Sequence, residues 1–226
     1  MASSIIHIAV ANEINKEIKK DESRLLIGSI APDISKHIGE NKVKSHFQDE
    51  DNSIPNLDKF LSKYGDKLDD PFILGYYIHI YTDYLWFKYF IPEVFDNDTS
   101  IIKKLNGEEV KCNGDMKKQY IYNDYTNLNK QIIDEYELNF KIFYNEIPKF
   151  ENGIDEIPMD KVWLLLDKIG LIVASTNEHK NFIFDIANIK KFIETSVKII
   201  LSDVQDRLKN KWKYVNILLE ESKWKI

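Results

Sequence analysis

The sequence predicts an all-α fold in which a single multi-helix bundle domain occupies residues 1–226. Three observations lead to this prediction. Apolar residues recur at the three- and four-residue spacing of an amphipathic helix over most of the chain. Residues that favour helix N-termini precede these segments, and proline or glycine follows several of them. Alternation of apolar and polar residues, the pattern of a half-buried strand, is confined to short pieces.

The first segments of the chain have recognisable ends. Ser3 or Ser4 can cap a first helix that runs to about Lys19. Pro32 stops a second helix over residues 22–31, and residues 37–53 are polar enough to be predicted as a long loop. Residues 96–115 are mostly polar as well, with a short β-ribbon expected around residues 108–111. The other predicted helices cover residues 56–64, 117–136, 159–174, 186–208 and 214–223, and short strand pieces are expected near residues 139–144 and 182–184.

The most apolar segment of the chain begins after Asp70, between the predicted helices at 56–64 and 117–136. Asp69 or Asp70 can cap a helix that has Pro71 at a tolerated first-turn position and runs to about Phe90, where Pro92 ends it. Because its residues are apolar nearly all round, we expect it to be the central, buried helix of the bundle.

Charge and hydropathy argue against two kinds of partner. The 31 basic and 37 acidic residues give a net charge of −6, with the two signs interspersed. No basic stripe is present, so a nucleic-acid duplex is not expected as a partner. The longest apolar stretch, residues 71–87, is shorter than the ~20 apolar residues of a membrane span, so stable membrane insertion is not expected either. The N-terminal stretch lacks the basic region of a secretory signal, and we therefore expect a cytoplasmic protein.

The single cysteine, Cys112, excludes an internal disulfide. It lies in the polar stretch of residues 106–115 and has no histidine beside it in the sequence. We expect a surface or half-buried thiol without a catalytic role.

The strongest chemical signal is the pair His79 and Asp83, an H-x-x-x-D motif inside the central helix. The i, i+4 spacing puts both side chains on one helical face, and Gly75 lies one turn earlier on that face. A histidine and a carboxylate on a buried face are costly unless something pairs them. They can pair with each other, or they can bind a divalent metal ion.

Three other residues are ambiguous when taken singly. His7 lies on an apolar helical face, where a histidine is usually part of the core. Asp33 follows Pro32, and an aspartate at this position is typical of a turn. His46 lies in a polar loop just before an apolar residue, Phe47.

Further histidines and one aspartate are weaker candidates. His37 and His179 lie in polar settings and are expected to be solvated. Asp124 is expected to cap a helix, although the aromatic residues around it are typical of a pocket wall.

Taken together, the motifs follow a recognisable order. A helical histidine near the N-terminus, Gly-Ser-Ile-Ala-Pro-Asp at residues 28–33, His-Phe at 46–47 and G-x-x-x-H-x-x-x-D at 75–83 occur in turn. This order resembles the zinc-dependent phospholipase C family, whose fold is an all-helical bundle and whose relatives include the P1-type nucleases. The resemblance implies a bundle of the phospholipase C/P1 nuclease type. It also implies that the metal ligands are His7, Asp33, His46, His79 and Asp83. Of these, Asp83 would bridge two ions.

The resemblance covers residues 5 to 90 and departs from the secreted enzymes in three ways. Those enzymes begin at a processed tryptophan whose amine is a ligand, whereas this chain begins Met1-Ala2. They carry a further histidine after the H-x-x-x-D helix, and then an H-x-x-x-E motif. Here no histidine lies between His79 and His179, and Ile183 stands four residues after His179. One of three zinc sites is therefore expected to be absent, which leaves a mononuclear or dinuclear centre.

The function expected from these residues is metal-dependent hydrolysis of a small phosphoester, or less readily of an amide, by a metal-bound water. The cofactor would be one or two Zn²⁺ or another divalent transition metal. Asp83 would serve as the bridging ligand and Asp33 as a ligand or general base. An HD-type phosphohydrolase is disfavoured because none of the five histidines is followed by aspartate. The alternative of a different class is a helical binding protein, metal-free or with a structural metal. The sequence indicates neither the substrate nor the oligomeric state.

Overall fold

The computed structural model describes residues 1–51, 53–94, 101–104, 106–144, 147–175 and 183–209. Helices dominate these residues, and the all-α prediction is confirmed. The predicted helix at 214–223, residue 182 of one predicted strand piece, and His179 lie outside the described residues. Within them, no helix combines the length and the apolar character that crossing a membrane requires.

Ten α-helices and one small antiparallel ribbon make up the described part of the chain. The helices are α1 (Ser4–Ile18), α2 (Glu22–Gly28), α3 (Ile34–His37), α4 (Lys42–Ser45), α5 (Leu57–Tyr64), α6 (Pro71–Leu85), α7 (Ile91–Val94), α8 (Gly114–Glu135), α9 (Trp163–Ala174) and α10 (Ile186–Lys209). A π-helical turn at Trp86–Phe90 joins α6 to α7, and 3₁₀ turns occur at Ala31–Asp33, Gly65–Lys67, Phe140–Tyr144 and Met159–Lys161. Strands β1 (Ile101–Lys103) and β2 (Glu109–Lys111) form the ribbon, with Ile102 paired to Val110.

The helix ends follow the caps that the sequence predicts. The Ser3 hydroxyl accepts a hydrogen bond from the Ile6 amide, 3.3 Å away, at the start of α1. Asp70 caps α6 by accepting from the Phe72 amide at 2.8 Å and from the Ile73 amide at 3.2 Å. Both caps satisfy amides that have no partner inside their own helix, and so they fix where each helix begins.

Helix α6 is the centre of the bundle, as its composition predicts. Nearly all its side chains are buried, and it packs against α1, α2, α5 and α10. Helix α8 covers α1 and α10 from another side and also contacts α9. The polar side chains of α6, among them His79 and Asp83, therefore face protein on every side.

Four local predictions are wrong. Residues 140–144 form a 3₁₀ turn and not a strand piece, and residues 183 and 184 are not in a strand. Pro92 does not end the central helix: α6 ends earlier, at Leu85, and Pro92 lies in α7 after the π-helical turn. The predicted loop over residues 37–53 contains the one-turn helix α4, whose cap is Asn41: its side chain accepts from the Val43 amide at 2.8 Å.

Helices α2 and α6 cross with their backbones in contact. A Cβ atom built on Gly75 would lie 2.0 Å from the carbonyl oxygen of Leu25, and one built on Gly28 would lie 2.2 Å from that of Phe72. Side-chain movement cannot relieve either clash, because the obstructing atoms are backbone. The absence of two Cβ atoms therefore sets the distance between these helices.

We predict that Gly75→Ala destabilises the protein by about 3 kcal/mol, because the overpacking outweighs the ~1 kcal/mol that alanine gains in an unhindered helix. Gly65→Ala is the matched control, since a Cβ there would meet only Leu61 side-chain atoms at 3.8 Å and beyond. That variant should change stability by less than about 1 kcal/mol. Urea denaturation of both variants measures the difference, and equal stabilities would show that the crossing is not tight.

Candidate metal centre

The five residues that the motif order singled out lie in one cluster, which we call the His/Asp cluster. His7 comes from α1, and Asp33 ends the 3₁₀ turn before α3. His46 follows α4 directly, and His79 and Asp83 lie one turn apart on α6. Asp33 is 5% exposed and the other four are at most 1% exposed, so the cluster is closed to bulk water.

The Nε2 atom of His46 lies close to ligand atoms of three other cluster residues. It lies 3.3 Å from His79 Nε2, and 3.7 Å from both Asp33 Oδ1 and Asp83 Oδ2. His79 Nε2 lies 3.7 Å from Asp83 Oδ2. Ligands bound tetrahedrally to zinc at ~2.0–2.1 Å are about 3.3 Å apart, so these separations are close to those of a zinc site.

His7 approaches the cluster from the other side of Asp83. Its ring stacks on that of His79, with centroids 3.7 Å apart and planes inclined by 12°. His7 Nε2 lies 3.3 Å from Asp83 Oδ1, which also accepts the Ala2 amide at 3.0 Å. The two carboxylate oxygens of Asp83 therefore face different histidines, which is the arrangement that a bridging ligand needs.

Serine and backbone groups orient two of the imidazoles. His79 Nδ1 lies 2.8 Å from the carbonyl oxygen of Ser29, which can only accept, so in the neutral ring the proton is on Nδ1 and Nε2 carries a lone pair. His46 Nδ1 lies 2.9 Å from the Ser45 hydroxyl, which lies 2.9 Å from the hydroxyl of Ser35. Such outer partners hold a ligand ring in place and are typical of metal-binding histidines.

The protonation states are those of metal ligands. Burial lowers the pKa of His79 to about 3 and that of His46 to about 4, so both rings are neutral at pH 7. Burial alone would raise the pKa of Asp33 and Asp83, but the neighbouring histidines outweigh it and hold both values below the ordinary range. The cluster therefore places two ionised carboxylates in the interior, which is unfavourable unless a cation neutralises them.

Several ligand atoms of the cluster lack a hydrogen-bond partner among the described residues. These buried atoms are His7 Nδ1 and Nε2, Asp33 Oδ1 and Asp83 Oδ2. Pairing of His7 Nε2 with Asp83 Oδ1, 3.3 Å away, would still leave His7 Nδ1, Asp33 Oδ1 and Asp83 Oδ2 unsatisfied, whereas buried polar groups are normally paired. A bound cation would contact the His7 and carboxylate atoms that face the centre, and the donor set therefore fits a metal ion.

A cavity of about 680 Å³ adjoins the cluster at Asp33. Its wall also includes Met1 and Ala2, and the Met1 carbonyl accepts a hydrogen bond from the hydroxyl of Tyr125 at 2.6 Å. Of the five cluster residues, Asp33 is the one that lines this cavity. A ligand in the cavity would therefore meet the cluster at the Asp33 carboxylate.

Two expectations about other polar residues need correction. Asp124 does not cap its own helix: it lies inside α8, fully buried, and accepts the amides of Ile183 at 2.7 Å and Phe184 at 3.2 Å. Cys112 is 5% exposed and belongs to the core, because the ribbon carries it inward directly after β2. His37, at the end of α3, is half-buried and stays outside the cluster.

Comparison of the chain with models of known families, with curated proteins and with solved structures gave no match. The likeness to the zinc-dependent phospholipase C family is therefore carried by the motif order.

Sequence reasoning missed the residues that support the cluster. Ser29, Ser35 and Ser45 are buried, although serine is usually exposed. Each stands within four residues of a candidate ligand or, for Ser29, inside the Gly28–Asp33 motif. That proximity was the available signal, but serine is too common near turns for it to be decisive.

We predict that the purified protein carries one or two equivalents of a divalent metal, zinc first, and that Asp83→Asn loses most of it because the anionic ligand is gone. With metal present the variant should melt at a lower temperature than the parent. With chelator present this difference should vanish, because the variant no longer buries that uncompensated charge. Elemental analysis and thermal melting measure both effects.

Asp203→Asn is the matched control for that experiment. Asp203 is 1% exposed and accepts hydrogen bonds from Tyr77 and Arg207, both at 2.7 Å. Its substitution should lower the melting temperature with and without chelator and leave metal content unchanged. Full metal content in Asp83→Asn would exclude Asp83 as a ligand.

Cys112→Ala should keep full metal content, because the thiol is not part of the cluster. Its burial does imply a loss of stability of about 1 kcal/mol, from the contacts that sulfur makes in the core. Metal analysis and urea denaturation test both parts. A drop in metal content would reveal a ligand role for Cys112.

Proposed function

We propose that this protein is a metal-dependent hydrolase that acts on a phosphoester. The observation that carries the proposal is the His/Asp cluster itself. It combines two ionised carboxylates, neutral imidazoles and buried ligand atoms without partners, and it adjoins a cavity of about 680 Å³. The order of the motifs, which resembles that of zinc-dependent phospholipase C enzymes, supports the same chemistry.

Two overlapping groups of three side chains could each hold an ion: Asp33, His46 and His79 form one group, and His7, His79 and Asp83 form the other. His79 can serve only one ion, because its Nδ1 atom is engaged by the Ser29 carbonyl. Imidazole and carboxylate ligands in a compact set favour Zn²⁺, and other divalent transition metals fit the same donors.

When bound, the ion would supply Lewis acidity, which activates water at neutral pH and polarises a phosphoryl oxygen. Asp33 is the cluster residue on the cavity wall, and its lowered pKa keeps it ionised. It is therefore placed to accept a proton from an attacking water, or to orient that water. Asp83 is 0% exposed and is assigned the role of ligand and bridge.

A phosphoester suits the surroundings of the cluster better than an amide does. Lysine side chains, Lys36 and Lys42 among them, line the cavity next to Asp33. Ammonium groups favour the binding of an anionic substrate over that of a neutral one. An amide carries no such charge in its ground state and would not use these groups for binding.

A structural metal site in a binding protein is the second candidate. The near-complete burial of His7, His79 and Asp83 favours it, since structural sites are usually closed to water. The two functions differ at Asp33, because a purely structural site has no need of a ligand that faces an open cavity.

We predict that zinc-loaded protein hydrolyses 4-nitrophenyl phosphate or bis(4-nitrophenyl) phosphate and that chelator abolishes the activity. Asp33→Asn should lower kcat by at least ~100-fold, as expected for loss of a proton acceptor. Metal content of the variant is measured alongside, because Asp33 is also a candidate ligand. A fully metal-loaded protein that hydrolyses neither ester would support the structural-site alternative, and Asp203→Asn serves as the control for nonspecific damage.

A further inference from the structure

The cavity beside the cluster has a charge opposite to that of the whole chain. The sequence contains 31 basic and 37 acidic residues. Among the charged side chains that line the cavity, however, Asp33 is the single carboxylate of the described residues, and it is joined by four lysines: Lys36, Lys42, Lys117 and Lys118. Uniform scattering of charge would place about equal numbers of both signs there. The excess of ammonium groups therefore belongs to this cavity and not to the surface in general.

One of these lysines is held in position by the opposite wall. Lys36 Nζ donates a hydrogen bond to the hydroxyl of Tyr122 at 3.2 Å and lies 5.1 Å from the centre of the same ring. Lys36 belongs to α3 and Tyr122 to α8, so the contact links the two sides of the cavity. Lys117 on α8 and Lys42 on α4 are half-buried, which reduces the screening of their charges by water.

The positive charge extends to the cluster. Lys42 lies one helical turn before His46, whose amide donates a hydrogen bond to the Lys42 carbonyl at 2.8 Å. A divalent cation in the cluster is repelled by this lysine. Lysine ammonium groups beside a cation site weaken the binding of the cation unless an anion lies between the lysines and the cation. The carboxylates of Asp33 and Asp83 already neutralise one divalent ion, so the single charge of a phosphodiester would offset one of the four cavity lysines and leave positive charge in excess.

The rest of the cavity wall is apolar. Side chains from the π-helical turn, α7, α8 and α9 contribute to it, namely Trp86, Phe87, Ile91, Ile121 and Ile172. An apolar wall beside ammonium groups suits a ligand with a flat or aliphatic portion that carries an anionic group beyond it.

We propose that the phosphoester bound in this cavity carries a second anionic group, recognised by the cavity lysines, on an apolar or aromatic portion that lies against Trp86 and its neighbours. This inference rests on the proposed function for the place of the reacting phosphate, and it adds the substrate class. The lysines act as specificity determinants: they bind the second anion and take no part in the reaction itself.

Equilibrium binding tests the selection separately from catalysis. Calorimetry on zinc-loaded protein at low ionic strength compares phenylphosphonate with 4-carboxyphenylphosphonate, which differ by one carboxylate and have no ester bond for the protein to hydrolyse. The carboxylated ligand should bind at least about tenfold more tightly, the effect of one charge-assisted contact. The preference should fall as salt is added, because the lysines are partly exposed to solvent.

Lys42→Met with Lys117→Met should remove most of the preference, since methionine keeps much of the apolar stem but not the charge. Lys44→Met is the matched control: this exposed lysine is also on α4 and is not part of the cavity wall. It should leave the ratio of the two dissociation constants unchanged. Metal content and melting temperature of each variant confirm that the cluster is intact.

Equal dissociation constants for the two ligands, or a preference that survives the double substitution, would overturn the proposal. Absence of hydrolysis of 4-nitrophenyl esters by metal-loaded protein would instead contradict the proposed function, while the binding ratio would still report on the lysines. Nucleotides and short-chain anionic phospholipids both present a second anion beside an apolar group. Displacement of 4-carboxyphenylphosphonate by adenosine 3′,5′-bisphosphate would identify the first source, and displacement by monomeric dihexanoylphosphatidylserine the second.

Discussion

The contact between the backbones of α2 and α6 determines where the His/Asp cluster can form. Gly28 and Gly75 bring the two helices so close that neither position has room for a Cβ atom. Ser29 follows the first glycine, and His79 lies one turn after the second. The close crossing is therefore what allows the His79 ring to reach the Ser29 carbonyl at 2.8 Å, and this hydrogen bond leaves Nε2 free to face the other ligands. A wider crossing would turn the ring away from His46 and Asp33.

Without a bound cation, the cluster lowers the stability of the fold. The most buried helix of the bundle carries an ionised aspartate, Asp83, whose Oδ2 atom has no hydrogen-bond partner among the described residues. The surrounding core of α1 and α6 is largely apolar, and there the Ala2 amide at 3.0 Å and His7 Nε2 at 3.3 Å both lie against Oδ1 of Asp83. Two ionised carboxylates that both face neutral imidazoles repel each other, and a positive charge between them removes this repulsion. Charge balance therefore favours a bound metal ion as strongly as ligand geometry does.

The sequence predicted the framework of the fold and the members of the cluster for different reasons. Helical periodicity and the caps Ser3 and Asp70 are local signals, so the bounds of α1 and α6 follow from a few neighbouring residues. The cluster members came from an order of motifs, and their convergence depends on contacts between segments up to 76 residues apart in the sequence, from His7 to Asp83. Periodicity carries no information about such contacts, and motif order supplied it only through the family resemblance.

Prediction failed where tertiary contacts override local polarity. Cys112 lies in a polar stretch, yet the ribbon places it in the core. Asp124 looks like a cap because aspartate favours helix ends, but its carboxylate instead accepts the two amides just before α10, fifty-nine and sixty positions further along the chain. The cavity lysines gave no signal either, since lysine is frequent throughout the sequence and only the packing of α3, α4 and α8 gathers four of them.

Burial and access place opposite demands on the proposed metal centre, and Asp33 is the cluster residue that lies both in the interior and on the cavity wall. Four cluster residues are sealed in the interior, which preserves ligand geometry and strengthens every electrostatic interaction among them. A closed site, however, cannot meet a substrate. Asp33 follows Pro32 at the end of a 3₁₀ turn, so its backbone leaves the core at this point and its carboxylate forms part of both the cluster and the cavity wall. The same change in backbone direction places the lysines of the next two short helices, α3 and α4, on the wall of the cavity. The turn at residues 31–33 thereby joins a buried ligand set to a positively charged cavity, and the chemistry available to the protein depends on that junction.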